Sequence, residues 1–174
     1  MISCRTWLAA PAGLMLASPV LADDVWLGLY EHDVTLAQVR FETGQDLKGG
    51  WIGERIEHFR AIGRPRPHIL VSKSLNGSTD YVAVGLNWTL GTRLYARPGI
   101  GLAVHDGPSR AYREGRRVDL GSPVVFEPEL AFGWRIGDGL ALEASWVHLS
   151  HATLFSRQNR GMDSWGLRLL VRLP

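Results

Sequence analysis

From about residue 25 onward the chain alternates apolar and polar side chains with a period of two. No other property of the sequence restricts its fold as much. Successive side chains on a β-strand point to opposite faces, so such alternation gives a sheet with one apolar and one polar side. In residues 124–136 the even positions are Val124, Phe126, Pro128, Leu130, Phe132, Trp134 and Ile136, while Glu127, Glu129 and Arg135 are odd. Leu94, Ile100, Leu102 and Val104 share a face opposite Arg93 and Arg97, and Trp165, Leu167, Leu169, Val171 and Leu173 share one opposite Arg168 and Arg172. Clusters of Gly, Asp, Asn and Pro separate these stretches, as turns do. The pattern predicts eight strands, at 25–33, 35–44, 56–74, 80–90, 92–105, 123–137, 140–150 and 164–173, with Pro65 and Pro67 making the third irregular.

An apolar face can meet either a protein core or a lipid bilayer. A soluble sandwich turns it inward, whereas a transmembrane barrel turns it outward and fills its lumen with polar groups. The N-terminal stretch "MISCRTWLAAPAGLMLASPVLADD" helps to decide. Arg5, the apolar run from Trp7 to Leu21 and the small residues before Asp23 form the three regions of an export signal. Residues 1–22 are therefore expected to be a removed signal peptide and residues 23–174 a single domain. The only cysteine, Cys4, would leave with that signal, and loss of Arg5 takes the net charge from +2 to +1. So balanced a charge gives no argument for nucleic acid, and no later apolar run is long enough for a transmembrane helix.

The segments have about the 9–11 residues that a tilted strand needs to cross a bilayer, and Trp or Tyr lies near several strand ends, as interfacial belts require. These features predict an eight-stranded antiparallel transmembrane β-barrel of the bacterial outer membrane. Its lumen would hold a polar plug of Arg40, Glu42, Arg93, Arg97, Glu127, Glu129, Arg135, Glu143, Arg168 and Arg172. A barrel this narrow is filled by side chains and is not a pore. A soluble exported sandwich or lipocalin-like binder is the competing fold.

On this frame the last stretch of the chain stands out. In 140–150 the even row runs Leu140, Leu142, Ala144, Trp146, and then His148 and Ser150; Asp163 shares the parity of Trp165, Leu167 and Leu169. A histidine, a serine and an acid thus fall on the rows that face lipid, near one end of two strands that a hairpin makes neighbours. Polar groups facing hydrocarbon are costly, unless the substrate is itself a lipid. A serine hydroxyl needs a base within reach to become a nucleophile, and the base needs an acid to fix its tautomer. Ser150, His148 and Asp163 are the residue types for these roles. A polar strand end at the aqueous rim is the plain alternative, and a non-enzymatic barrel, structural or adhesive, is the alternative for the whole chain.

The stretch "HLSHATLFSRQNRGMDSWGLRL" resembles the C-terminal signature of the outer-membrane lipid A 3-O-deacylases (PagL-type, the acyloxyacyl hydrolase family), in which His-x-Ser-Asn-Ala precedes a short loop with Asn-x-Gly, an acid and a final strand. "HDG" at 105–107, "LGSPVVFEPELAFGWR" at 120–135 and "YVAVGLNW" at 81–88 are also similar to this family. The resemblance implies an eight-stranded barrel that removes the 3-position acyl chain of lipid A with a serine triad on its outer wall. It implies His148 as base, Ser150 as nucleophile, Asp163 as the orienting acid, and Asn159 with a backbone N–H near Thr153 as oxyanion donors. Phe126 would border the acyl chain. Two departures are visible: His151 stands where the family has Asn, as a second base or an altered supporting residue, and Asp163 is one methylene shorter than the usual Glu. The final Leu-Pro also differs from the aromatic ending common in outer-membrane barrels.

Other candidates carry less. His32-Asp33 and His105-Asp106 have no third ligand at a metal-binding spacing, "GRPRPH" at 63–68 suits a barrel end, and Gly99-Ile-Gly101 lacks the helix that a nucleotide loop precedes. No metal and no cofactor is expected. The expected partners are lipid A and outer-membrane lipid, and the sequence leaves a homo-oligomer open.

Overall fold

The computed structural model describes residues 23–34, 40–109, 117–154 and 160–174, so the expected leader 1–22 lies outside the described residues. The alternating stretches form strands β1 (Asp24–Glu31), β2 (Gln45–Ile52), β3 (Arg66–Ser74), β4 (Tyr81–Asn87), the two-residue β5 (Leu90–Gly91), β6 (Leu94–His105), β7 (Val124–Arg135), β8 (Leu140–Leu149) and β9 (Met162–Arg172). All pairings are antiparallel, β9 pairs with β1, and β4 pairs with β6, so the sheet closes on itself as an eight-stranded barrel with β5 a short addition beside β6. Closure leaves no strand edge unpaired, which is what a sheet in hydrocarbon requires.

The parity read from the sequence sorts the side chains between outside and inside. Leu27, Val71, Val84, Leu102, Phe132 and Leu167 are exposed on the outer wall. The inner wall is largely polar. Arg168 reaches Glu143 at 2.6 Å and Glu129 at 2.5 Å, while Arg97 Nη2 lies 2.8 Å from Glu143 and the Tyr95 hydroxyl donates to the same carboxylate at 2.6 Å. Lys48 is fully buried, donates to Tyr81 Oη at 2.7 Å, and lies over the rings of Tyr30 and Tyr81. Of the expected plug, Glu42, Arg97, Glu127, Glu129, Glu143 and Arg168 are buried. Arg40, Arg93 and Arg172 are exposed and Arg135 is half-buried, because they lie at the barrel's ends, where water replaces protein partners.

Two strand expectations need correction. Residues 40–44 of the expected second strand are not strand, and residues 35–39 lie outside the described residues; β2 runs over 45–52 instead. Its sequence, QDLKGGWI, looks like a turn because it carries Lys48 and two glycines. Inside the barrel the lysine is paired and the glycine is needed: a Cβ at Gly50 would stand 2.3 Å from Ile69 O and 2.7 Å from the Trp26 ring. In the third segment only 66–74 is strand; a 3-10 turn, Glu57–Ile62, precedes it and ends on the left-handed Gly63.

One end of the barrel carries the terminal residues and the connections 53–65, 88–93 and 136–139. The other carries 32–44, 75–80, 106–123 and 150–161. At this second end a buried clasp joins three of the connections. His32 Nδ1 is 2.6 Å from Asp46 and its Nε2 2.6 Å from Glu42. Glu42 also accepts the Thr79 N–H at 3.0 Å, the Thr79 hydroxyl at 2.9 Å and the Val118 N–H at 3.2 Å.

Removing Arg168 would leave the buried Glu129 without its cation and Glu143 with Arg97 alone, so Arg168→Met is expected to destabilise the barrel by about 3–5 kcal/mol, read as a lower unfolding temperature in detergent. The clasp predicts a pH dependence. Burial by itself lowers the His32 pKa, but hydrogen bonds to Asp46 and Glu42 and their charges outweigh it and raise the pKa from 6.5 to about 9. Burial raises the Glu42 pKa, and its bonds to His32 and Thr79 bring it below the ordinary 4.5. The His32 contribution is complete below pH 6.5 and lost as the pH rises through about 9, whereas that of Glu42 is complete above pH 4.5 and lost on acidification. The loop end is expected to be firmest between these limits. Protection of the Thr79 and Val118 amides from hydrogen exchange should fall between pH 7 and 10 beyond the intrinsic rate change, and His32→Ala should abolish that dependence.

Candidate active site on the outer wall

The β8–β9 hairpin places His148 directly opposite Asp163 in register. Directly opposed residues have Cβ atoms about 4.5–5.5 Å apart, so a short carboxylate reaches a ring without help from the backbone. His148 Nδ1 lies 2.9 Å from Asp163 Oδ1. Both side chains are about one-quarter exposed, on the outer wall, at the barrel end that bears the clasp. The Asp163 carbonyl is fixed as well, accepting the Val34 N–H at 2.8 Å.

Ser150 continues the same outer row. Its backbone closes an antiparallel bridge with Phe126: Phe126 N–H donates to Ser150 O at 2.7 Å, and Ser150 N–H to Phe126 O at 3.1 Å. This bridge extends the β7–β8 pairing past Leu149, holds Ser150 in strand geometry and sets Phe126 beside it. Among the described residues no hydrogen bond joins the Ser150 hydroxyl to the His148 ring. The structure thus brings His148 and Asp163 into contact and puts Ser150 on the same row, two residues along.

Beyond Ser150 the chain leaves the sheet. Ala152 and Thr153 both adopt left-handed φ, 51° and 60°, and the Leu154 N–H closes the turn on His151 O at 2.9 Å. His151 is fully buried. Asn159 lies outside the described residues. Chemically, an imidazole bonded to a carboxylate, with a serine on the same row, is an arrangement from which acyl transfer can be built. No cluster of His, Cys, Asp and Glu among the described residues could hold a metal ion.

Two residues at the site escaped the sequence reading. The Trp146 indole N–H donates to Asp163 Oδ1 at 2.8 Å, and its ring stacks on His148 with centroids 5.9 Å apart and planes 24° from parallel. Its parity with His148 was visible, but an aromatic residue near a strand end reads as a belt anchor. Gly161, at φ 65°, lies so close to the imidazole that a Cβ there would stand 2.8 Å from His148 Cε1. The Asn-x-Gly spacing was its only signal.

Comparison with known proteins agrees with the barrel fold. The model of the family described as lipid A 3-O-deacylase (PagL) matches residues 37–172. The chain belongs to that family. Among solved structures it is similar to the outer membrane enzyme PagL, with a TM-score of 0.62 and 15% identity over 86% of this chain and 99% of that one. Neisserial surface protein A matches with a TM-score of 0.57 and 10% identity, over 87% of this chain and 97% of the other. The Yersinia pestis outer membrane protein Ail matches with a TM-score of 0.51 and 9% identity, over 88% and 99%. At such identities the likeness concerns the fold, that of outer-membrane barrels. No curated protein matches the sequence.

Within this family member, Gly161 is expected to be irreplaceable at the imidazole. Gly161→Ala adds a strained left-handed alanine, at about 1–2 kcal/mol, and pushes the ring away. The barrel should still show heat-modifiable gel migration, while the His148 ring resonances move in an NMR spectrum; unmoved resonances would contradict the packing.

Proposed function

We propose that the protein is an outer-membrane serine esterase that hydrolyses the 3-position acyl ester of lipid A. The observation that carries this reading is the His148–Asp163 pair, opposed in register on the lipid-facing wall with Ser150 on the same row. Membership of the lipid A 3-O-deacylase family supports the substrate class.

In this mechanism the His148 Nε2 takes the proton of the Ser150 hydroxyl as Oγ attacks the ester carbonyl carbon. Asp163, bonded to Nδ1, holds the tautomer and stabilises the imidazolium. Negative charge gathers on the carbonyl oxygen, where preorganised N–H donors act most strongly; Asn159 and a backbone N–H of the 150–161 connection are the donors assigned here. Collapse of the tetrahedral species breaks the bond to the sugar 3-oxygen, and His148 returns the proton to it. Water, activated by the same imidazole, then releases the fatty acid from Ser150. No metal or redox group enters these steps.

Outer-membrane barrels have short periplasmic turns and longer extracellular loops. By that rule the site lies at the external end of the wall, where lipid A would reach it by lateral diffusion. Residues 1–22 act as the export signal that brings the chain there.

Ser150→Ala and His148→Asn are expected to keep the folded, heat-modifiable barrel yet reduce deacylation by about 10³-fold or more. Mass spectrometry of lipid A from cells expressing each form reads the loss of one acyl chain. Unchanged lipid A with folded wild-type protein would favour a non-enzymatic barrel.

A further inference from the structure

A tryptophan at a membrane rim ordinarily buries its ring among acyl chains and points its N–H at interfacial water. Trp146 is placed otherwise. Its outer-row position, two residues before His148, sets the ring against the imidazole, and its N–H is spent on Asp163 Oδ1 at 2.8 Å. That oxygen is also the one that faces His148 Nδ1, at 2.9 Å. Two donors from β8 therefore converge on one carboxylate oxygen from β9.

An aspartate can turn about its side-chain bonds and present either oxygen, or swing into water, since Asp163 is about one-quarter exposed. A second donor on the same oxygen opposes both motions. The stacked ring limits tilting of the imidazole in the same contact. Trp165, its cross-strand partner, is 48% exposed and among the described residues makes no bond to this group, which shows that an aromatic rim residue here need not do so.

We propose that Trp146 is a positioning residue of the esterase, holding Asp163 Oδ1 in line with His148 through its indole N–H. The inference rests on the function proposed above and extends it to a residue that acts through Asp163.

Trp146→Phe keeps an aromatic ring for the stack and removes only the donor. Measured on the full, detergent-refolded protein with lipid A, kcat should fall about 10–100-fold while KM changes less than about threefold. In an Asp163→Asn background the same change should cost nothing further, because a residue that acts through Asp163 has nothing left to position. Trp134→Phe, an exposed tryptophan at the other end of the wall, should retain wild-type kcat. A wild-type kcat for Trp146→Phe, or a loss that multiplies with that of Asp163→Asn, overturns the proposal. Should the folded wild type release no fatty acid, the esterase reading fails and the positioning inference is judged by the NMR signal of the His148 Nδ1 proton, which Trp146→Phe should shift and broaden as the contact with Asp163 loosens; an unchanged signal overturns it.

Discussion

Hydrocarbon offers no hydrogen bonds, and the rest of this structure follows from that. Every backbone N–H and C=O of a crossing strand must find a partner within the sheet, so the sheet has to close, here through the pairing of β4 with β6. Closure around so few strands leaves a narrow lumen. Side chains fill it, and because alternate residues must point inward, those are the polar ones. Buried charges are tolerated only in pairs, hence the Arg168 guanidinium between Glu129 and Glu143 and Lys48 3.5 Å from Asp46. The outer wall receives what remains and is apolar almost throughout.

Against that wall a polar cluster is conspicuous, and its position has chemical consequences. His148 and Asp163 sit at the end of the lipid-facing rows, where an acyl chain can lie on the apolar wall while its ester reaches the rim. The rigid parts of the site come from the sheet. Register opposes His148 to Asp163, the Phe126 bridge holds the Ser150 backbone, and Gly161 brings the returning chain against the imidazole. The clasp of His32, Glu42 and Asp46 fixes connections at the same end of the barrel by a polar network independent of the triad.

Much of this was legible in the sequence because one rule, parity, carries both fold and site. The same alternation that identifies strands assigns His148, Ser150 and Asp163 to the outer face, and a hairpin needs no further information to make 148 and 163 neighbours. The rule fails where a residue's role depends on partners far along the chain. Lys48 and Gly50 make β2 look like a turn until Tyr30, Tyr81, Trp26 and Ile69 surround them. Glu42 reads as a lumen charge of a strand, but it caps loops, because Thr79 and Val118 lie 37 and 76 residues away. Trp146 illustrates the opposite limit: its row was assigned correctly, yet parity says which face a side chain takes and nothing about where its N–H points.

The aspartate at 163 shows how register can offset a departure from a family's pattern. The glutamate that the resemblance leads one to expect here has an extra methylene. Here the residues are opposed in the ladder, and the shorter chain spans the gap at 2.9 Å. A longer side chain at this position would have to fold back to make the same contact, at a cost in rotamer freedom. The substitution of His151 for asparagine follows a similar logic. The residue after Ser150 would have the inward parity if the strand continued, and His151 is fully buried. On the function proposed above, the register that opposes residue 163 to His148 accommodates the shorter acid without moving either strand.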